Sequence, residues 1–174
     1  MYKLKKGFTL IELMVVIAII GVLASIIVAG LSNAKASGRD ARRISDIKNI
    51  QISLALYYND NNKYPVDIYQ NAPVGLVGTY MSKVPNDPSG TGNTPYTYVG
   101  ITASGNNCNN INTPPIKYHL GAVLESNSPS LNEDADAAAS SNYCASGPGP
   151  DFQGQSPDCG ATAGADQCYD VVNN

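Results

Sequence analysis

The chain has 174 residues, a formal net charge of −3 and four cysteines, which leaves room for one long helix and one small domain. None of its eleven basic residues lies beyond Lys117, so the C-terminal third is acidic. Because phosphate contacts require clustered cations, this composition argues against nucleic-acid binding by the C-terminal region.

A long apolar segment follows a short basic leader at the start of the chain. No charged residue lies between positions 13 and 31. A helix rises about 1.5 Å per residue and needs about 20 apolar residues to cross the hydrocarbon core of a bilayer. We therefore predict a leader over 1–7 and a transmembrane helix over 8–31. Glu12 is the anomaly, because a carboxylate in an apolar span is costly unless it finds a partner or reaches the interface.

The start of this segment carries a specific motif. Residues 7–13 read GFTLIEL, which resembles the processing signal of type IV prepilins and type II secretion pseudopilins. In that family a prepilin peptidase cuts after the glycine, here Gly7, and methylates the new terminal residue, here Phe8. The resemblance implies that Glu12 neutralises the Phe8 amine of a neighbouring subunit during filament assembly. A plain membrane anchor, with Glu12 reaching the interface, is the alternative.

The helical pattern continues beyond the apolar span as an amphipathic stem over 32–62. Its apolar residues recur at three- and four-residue spacing and form one stripe: Ile44, Ile47, Ile50, Leu54 and Tyr57. We expect the helix to end within 59–62, where Asn and Asp cluster shortly before Pro65. Of the stem's cations, Arg39, Arg42 and Arg43 are expected to face water or neighbouring subunits.

Residues 63–174 are predicted to form an extracytoplasmic head. Strand patterns cover 95–101 and 116–125, and residues 167–172 are a third candidate strand. A short helix is expected near 74–81. In the second strand, alternation places Tyr118 and Leu120 on the apolar face and His119 on the more polar face. The expected fold is therefore α+β and pilin-like, with the long helix packed on a small antiparallel sheet.

Three short motifs in the head extend the resemblance. Tyr64-Pro65, VPNDP at 84–88 and PYTY at 95–98 are similar to segments of the G-type major pseudopilins of type II secretion and of minimal bacterial type IV pilins. Packing between helix and sheet explains Tyr57, Tyr96 and Tyr118 better than ligand binding does. No nucleophile and orienting acid are indicated around His119, so the sequence does not predict an enzyme.

The acidic tail contains the cysteines and the candidate metal ligands. Cys108, Cys144, Cys159 and Cys168 are predicted to form two disulfides outside the cytoplasm, which also places the head there. Three pairings are open, and proximity weakly favours Cys108 with Cys144 and Cys159 with Cys168. Asp134 and Asp136 are candidate calcium ligands, since G-type pseudopilins have calcium sites in their C-terminal loops. The alternative for this acidic cluster is the solvated start of a short helix over 132–140.

The predicted function is that of a prepilin that is cleaved, N-methylated and polymerised into a homo-oligomeric, type IV pilus-like filament. Its expected partners are the prepilin peptidase, an inner-membrane assembly platform, the membrane and further copies of itself. The precursor would span the inner membrane once with its head outside the cytoplasm, and the assembled subunit would stand in a cell-surface filament. Alternatives are a major pseudopilin of type II secretion, a minor or tip pilin, and a membrane-tethered binding module.

Overall fold

The computed structural model describes residues 7–89, 94–102, 114–132, 135, 159 and 167–173, without the side chains of 26–30. These residues form one long helix, α1 (Leu10–Asn61), and three strands, β1 (Thr97–Ile101), β2 (Lys117–Val123) and β3 (Cys168–Val172). A short 3₁₀ helix, Pro129–Asn132, lies between β2 and β3. The α+β, pilin-like fold class is confirmed.

Helix α1 has 52 residues and a defined signal at each end. At its start the Thr9 side chain accepts a hydrogen bond from the Glu12 backbone N–H, and the Glu12 side chain accepts one from the Thr9 N–H. At its end Asn62 adopts the left-handed conformation (φ 53°), and its N–H donates to the Tyr58 carbonyl oxygen at 2.8 Å. Asn tolerates this conformation better than most residues do, so the predicted end within 59–62 is confirmed.

The stripe on the second half of α1 forms one wall of the core. Ile47, Ile50 and Leu54 are fully buried, and Tyr57 is nearly so. The apolar face of β2 and the segments that connect helix to sheet complete this core: Tyr64, Ile68, Leu76, Val84, Tyr96, Tyr118, Leu120, Ala122 and Leu124. The predicted packing of Tyr57, Tyr96 and Tyr118 between helix and sheet is confirmed.

The sheet has the order β1-β2-β3, and both neighbouring pairs are antiparallel. Val99 of β1 lies opposite His119, and Val171 of β3 lies opposite Leu120. All three predicted strands are confirmed, including the one in the C-terminal tail. β3 pairs with β2 and so forms the edge of the sheet opposite to β1.

The prediction of a short helix near 74–81 is wrong. This segment consists of turns with isolated bridges, in which Val77 pairs with Asn71 and Met81. Gly78 has φ +93°, which a right-handed helix does not allow. The segment is held by backbone hydrogen bonds instead, such as that from the Val77 N–H to the Gln70 carbonyl oxygen at 3.1 Å.

The first half of α1 has no cover in the monomer. Its large apolar side chains are exposed on every side of the helix: Leu10, Ile11, Leu13, Met14, Val15, Val16, Ile17, Ile19, Ile20, Val22 and Leu23. Among the residues whose positions are described, no helix meets the length and apolarity needed to cross a membrane. The assignment of 8–31 as a span therefore stays a prediction from the sequence.

Replacing Leu54 by Ala should lower the free energy of unfolding by about 2 to 5 kcal/mol, because a buried leucine would leave a cavity. Leu56 is the matched control, because it lies two residues further along the same helix and its side chain is 53% exposed. Leu56→Ala should change stability by less than about 0.5 kcal/mol. Chemical denaturation of the full-length protein in detergent micelles measures both. Equal losses would contradict the assigned inner face of the helix.

Candidate assembly site

The residues predicted to be processed lie at the exposed start of the helix. Gly7 and Phe8 precede the first turn, and Phe8 is 86% exposed. The bond between them is therefore accessible in the monomer. Cleavage there would place a new amine two residues before Leu10, the first residue of α1.

Glu12 stands one turn into the helix, with its carboxylate turned back to the helix start. Its Oε2 accepts hydrogen bonds from the Thr9 N–H at 2.8 Å and from the Thr9 hydroxyl at 2.6 Å. The Glu12 N–H in turn donates to the Thr9 Oγ1 at 3.3 Å. This is a capping box, for which the Thr-x-x-Glu spacing is the sequence signal, and the sequence analysis missed it.

The Glu12 side chain is exposed despite these hydrogen bonds. Its local donors are neutral, so its negative charge has no cation beside it among the residues described. An ammonium group from another molecule can therefore approach the carboxylate without displacing the head or any part of the core. Chemically, the site can hold a cation at the boundary of an apolar surface.

A second cluster of charges lies where the head begins to cover the helix. The Arg43 guanidinium donates to both carboxylate oxygens of Asp87, from Nε at 2.6 Å and from Nη2 at 2.9 Å. It also contacts the carboxylates of Asp40 at 2.6 Å and Glu125 at 2.8 Å. Arg39 donates to Glu125 through two nitrogens. We refer to Arg39, Asp40, Arg43, Asp87 and Glu125 as the stem–head cluster.

Asp40 also organises the turn after β2. Its two carboxylate oxygens accept hydrogen bonds from the backbone N–H groups of Glu125 and Ser126, each at 2.9 Å. The Ser126 hydroxyl donates to the same carboxylate. The turn is thereby fastened to the helix by its backbone as well as by the Glu125 side chain.

These contacts change the pKa values of Asp87, Glu125 and Arg43. The Arg43 guanidinium lowers the pKa of Asp87 to about 2, and Arg39 and Arg43 together lower the pKa of Glu125 to about 2. The hydrogen bond to Asp87 raises the pKa of Arg43. All of these side chains therefore stay charged across the physiological pH range.

The expectation that all three stem arginines face water or neighbours is wrong for Arg43. Its side chain is only 3% exposed, whereas that of Arg42 is 66% exposed and contacts Asp46 at 3.8 Å. Asp40 is three residues away from Arg43, but the two partners in the head, Asp87 and Glu125, lie far away in the sequence, 44 residues away in the case of Asp87. No local pattern indicates such a partner.

His119 lies on the face of β2 predicted to be more polar, and its position in the middle of that face is buried, whereas Lys117 and Val123 on the same face are exposed. Both His119 and Asp170 of β3 have no exposed surface, and the His119 Nε2 is hydrogen-bonded to the Asp170 carboxylate. Burial lowers the pKa of His119, and the contact with Asp170 opposes this effect. The pair is a buried polar contact inside the head. The pairing was not evident from the sequence because the two residues are 51 positions apart.

The remaining predicted site residues fall mostly outside the described residues. A disulfide joins Cys159 to Cys168, the first residue of β3, which is one of the two pairs favoured by proximity. Cys108, Cys144, Asp134 and Asp136 lie outside the described part of the chain. Within that part, no group of three or more His, Cys, Asp or Glu side chains is arranged so that it could hold a metal ion.

A processing motif, a half-exposed long helix and a small antiparallel sheet define a pilin-like structural subunit. Comparisons with known proteins agree with this class. Residues 2–28 match the prokaryotic N-terminal methylation motif. The chain is 37% identical over 98 residues to the type II secretion system core protein G of Aeromonas hydrophila, which covers 49% of this chain and 68% of the relative.

Two further relatives match about half of the chain. The core protein G of Pectobacterium carotovorum is 36% identical over 99 residues, which is 50% of this chain and 64% of the relative. The fimbrial protein EcpC of Eikenella corrodens is 36% identical over 84 residues, 48% of this chain and 53% of the relative. No solved structure matches the chain. The chain belongs to the type II secretion system core protein G family.

Acid should weaken the stem–head cluster within a defined pH range. The pKa of Asp87 is lower in the folded protein than in the unfolded chain, so its stabilising effect is full above about pH 4 and is lost as the pH falls toward 2. The loss amounts to about 2 kcal/mol before solvent screening is considered. Asp87→Asn should flatten this part of the curve of unfolding free energy against pH, whereas Asp60→Asn, at an exposed position of α1, should not. Parallel curves for Asp87→Asn and the unchanged protein would contradict the prediction.

Proposed function

We propose that the chain is a prepilin-type subunit that is cleaved after Gly7, methylated on Phe8 and polymerised into a helical filament. In this proposal residues 1–7 are the leader, 8–31 the membrane span and filament core, 32–62 the stem and 63–174 the extracytoplasmic head. The precursor waits in the inner membrane. It is processed by a prepilin peptidase and extracted by an inner-membrane assembly platform.

Glu12 is the observation on which the proposal mainly depends. Its exposed carboxylate stands among exposed apolar side chains and contacts only Thr9 of its own chain among the described residues. When such a surface is covered by other subunits, an unpaired carboxylate is expensive to desolvate. The Phe8 amine of a neighbouring subunit would supply the missing positive charge. The same pairing would set the axial position of one subunit against the next.

The exposed apolar half of α1 supports a filament whose interior consists of helices. Side chains such as Leu13, Met14 and Val15 are exposed in the monomer and, as consecutive helical residues, lie on different sides of the helix. Burial of apolar surface favours association by about 25 cal/mol per Å² of area removed from water. Neighbours on several sides, as in a helical array of head-to-tail contacts, would cover such a helix.

The relatives favour a secretion filament within this class. The core protein G relatives support a role as the major pseudopilin of a type II secretion system. The match to the fimbrial protein EcpC supports a second candidate, a subunit of a cell-surface pilus. In both cases the contribution of the chain is noncovalent assembly. Asp134 and Asp136 stay candidate calcium ligands of the head.

Glu12→Gln should leave cleavage and Phe8 methylation intact but abolish filaments. Glutamine can still accept the Thr9 hydrogen bonds of a capping box, so the helix start is kept while the charge is lost. Mass spectrometry of the mature N-terminus measures processing, and electron microscopy measures filaments. Asp60→Asn is the control, because it removes an exposed carboxylate from the other end of the same helix. Normal filaments from Glu12→Gln would refute the proposed pairing with the Phe8 amine.

Shearing of cells should separate the two candidate filaments. If the chain is the major subunit of a surface pilus, it should be the main protein in the sheared fraction at native expression levels. If it is a secretion pseudopilin, it should stay with the cells, and its deletion should stop the export of folded proteins. Finding the chain only in trace amounts in both the filament and the cell-bound assembly would contradict a role as the major subunit.

A further inference from the structure

The head is joined to the helix covalently at only one end of their contact. The chain leaves α1 at Asn61, and the Tyr64 N–H then donates to the Pro115 carbonyl oxygen at 2.8 Å. The stem–head cluster lies at the opposite end, where Arg43 is 18 positions before Asn61. At about 1.5 Å per residue, the two attachment points are about 27 Å apart along the helix.

Apolar packing and hydrogen bonds from tyrosine hydroxyls connect the two points. Ile47, Ile50 and Leu54 bury their side chains against the sheet, but the hydrophobic effect has no direction. The Tyr57 hydroxyl donates to the Pro73 carbonyl oxygen at 2.7 Å, and the Tyr96 hydroxyl donates to Asp46 at 2.8 Å. Such contacts oppose separation of head and helix more than they fix the angle between them.

The contacts of Arg43 do fix the direction of the head relative to the helix. A guanidinium that binds both oxygens of one carboxylate holds it in a fork whose plane and distance are both set. Arg43 holds Asp87 in this way, contacts Asp40 through Nη1 and contacts Glu125 through Nη2, which it also uses for Asp87. Among the described residues, every ion pair between α1 and the head involves Arg39 or Arg43.

The cluster also fastens two segments of the head that are far apart in sequence. Asp87 belongs to the segment before β1, and its carboxylate additionally accepts a hydrogen bond from the Ser89 N–H at 2.8 Å. Glu125 belongs to the turn after β2. The adjacent Leu124 N–H donates to the Gln167 carbonyl oxygen at 2.8 Å, next to the start of β3. The segment before β1 and the turn after the central strand β2 are thus connected to one arginine.

We propose that Arg43 is a positioning residue that fastens the head to the helix at the end opposite to their covalent connection and so fixes the direction of the head. Without it, we expect segments 84–89 and 124–126 to be held less firmly against this end of the helix, while the buried apolar residues keep head and helix together. The consequence for a filament rests on the proposed function: heads held at two points would all project at the same angle from the helical core.

A positioning role differs from a purely stabilising one. The desolvation of a buried ion pair can cancel its attraction, so burial alone does not show that the cluster adds stability. A fork with fixed geometry nevertheless selects one arrangement of head and helix over others. Loss of the fork should therefore loosen the segments at the cluster and leave the center of the sheet protected.

Hydrogen exchange of the full-length protein in detergent micelles tests this proposal. In Arg43→Met, amides of 84–89 and 124–126 should exchange at least about tenfold faster, while those of β2 at 118–122 change by less than about threefold. Arg43→Lys keeps the charge but not the fork, and should give a smaller increase at the same segments. Arg42→Met is the control on the same helix, since Arg42 is largely exposed, and should match the unchanged protein.

Each outcome supports or overturns the proposal. If Arg43→Met exchanges faster everywhere because it unfolds, Arg43→Lys decides: a local increase supports the proposal, and a uniform increase or no increase overturns it. Unchanged exchange at 84–89 and 124–126 in both variants also overturns it. These measurements use the monomer, so they stand even if the chain forms no filament. Where filaments form, Arg43→Met should broaden the distribution of head angles in electron micrographs.

Discussion

The structure depends on one continuous helix that has to satisfy two different surroundings. In its second half a single apolar stripe, centred on Ile50 and Leu54, is buried by the head. In its first half apolar side chains are exposed around the whole circumference. A helix that is apolar on all sides needs neighbours on all sides, whereas an amphipathic helix needs one. The monomer provides the single neighbour, and only assembly or a membrane can provide the rest.

The stem–head cluster lies at the boundary between the exposed first half of α1 and its second half, which the head covers. Asp40 and Arg43 are nearly fully buried, although both have ionisable side chains. Each is surrounded by partners of opposite charge or by hydrogen-bond donors, which offsets the cost of desolvation. Both residues lie at the end of the head nearest to the start of the helix, so the apolar core ends there in a layer of polar contacts. The exposed apolar half of the helix begins beyond it.

Tyrosines occupy many core positions that phenylalanines occupy in other proteins. The hydroxyls of Tyr57 and Tyr98 each donate to a proline carbonyl oxygen of the connecting loops, at 2.7 Å. Burial raises the pKa of Tyr98 well above its usual value, so the hydroxyl stays protonated and can donate. A buried tyrosine thereby fills volume and orders a loop at once, because its ring packs while its hydroxyl finds an acceptor. The loop over 64–81 has little regular structure and relies on such contacts.

Sequence alone determined the features that are local in the chain. Periodicity or adjacent residues indicate the length of α1, its buried stripe, the three strands and the GFTLIEL motif. The four-residue spacing Thr-x-x-Glu likewise indicates the cap formed by Thr9 and Glu12. Only the tertiary structure decided the burial of Arg43, the pairing of His119 with Asp170 and the irregular path of 74–81. Arg43 finds Asp87 across 44 residues, and His119 finds Asp170 across 51. A charged side chain has the same sequence signature on a solvated face and in a buried ion pair, because only the fold brings the compensating charge to it.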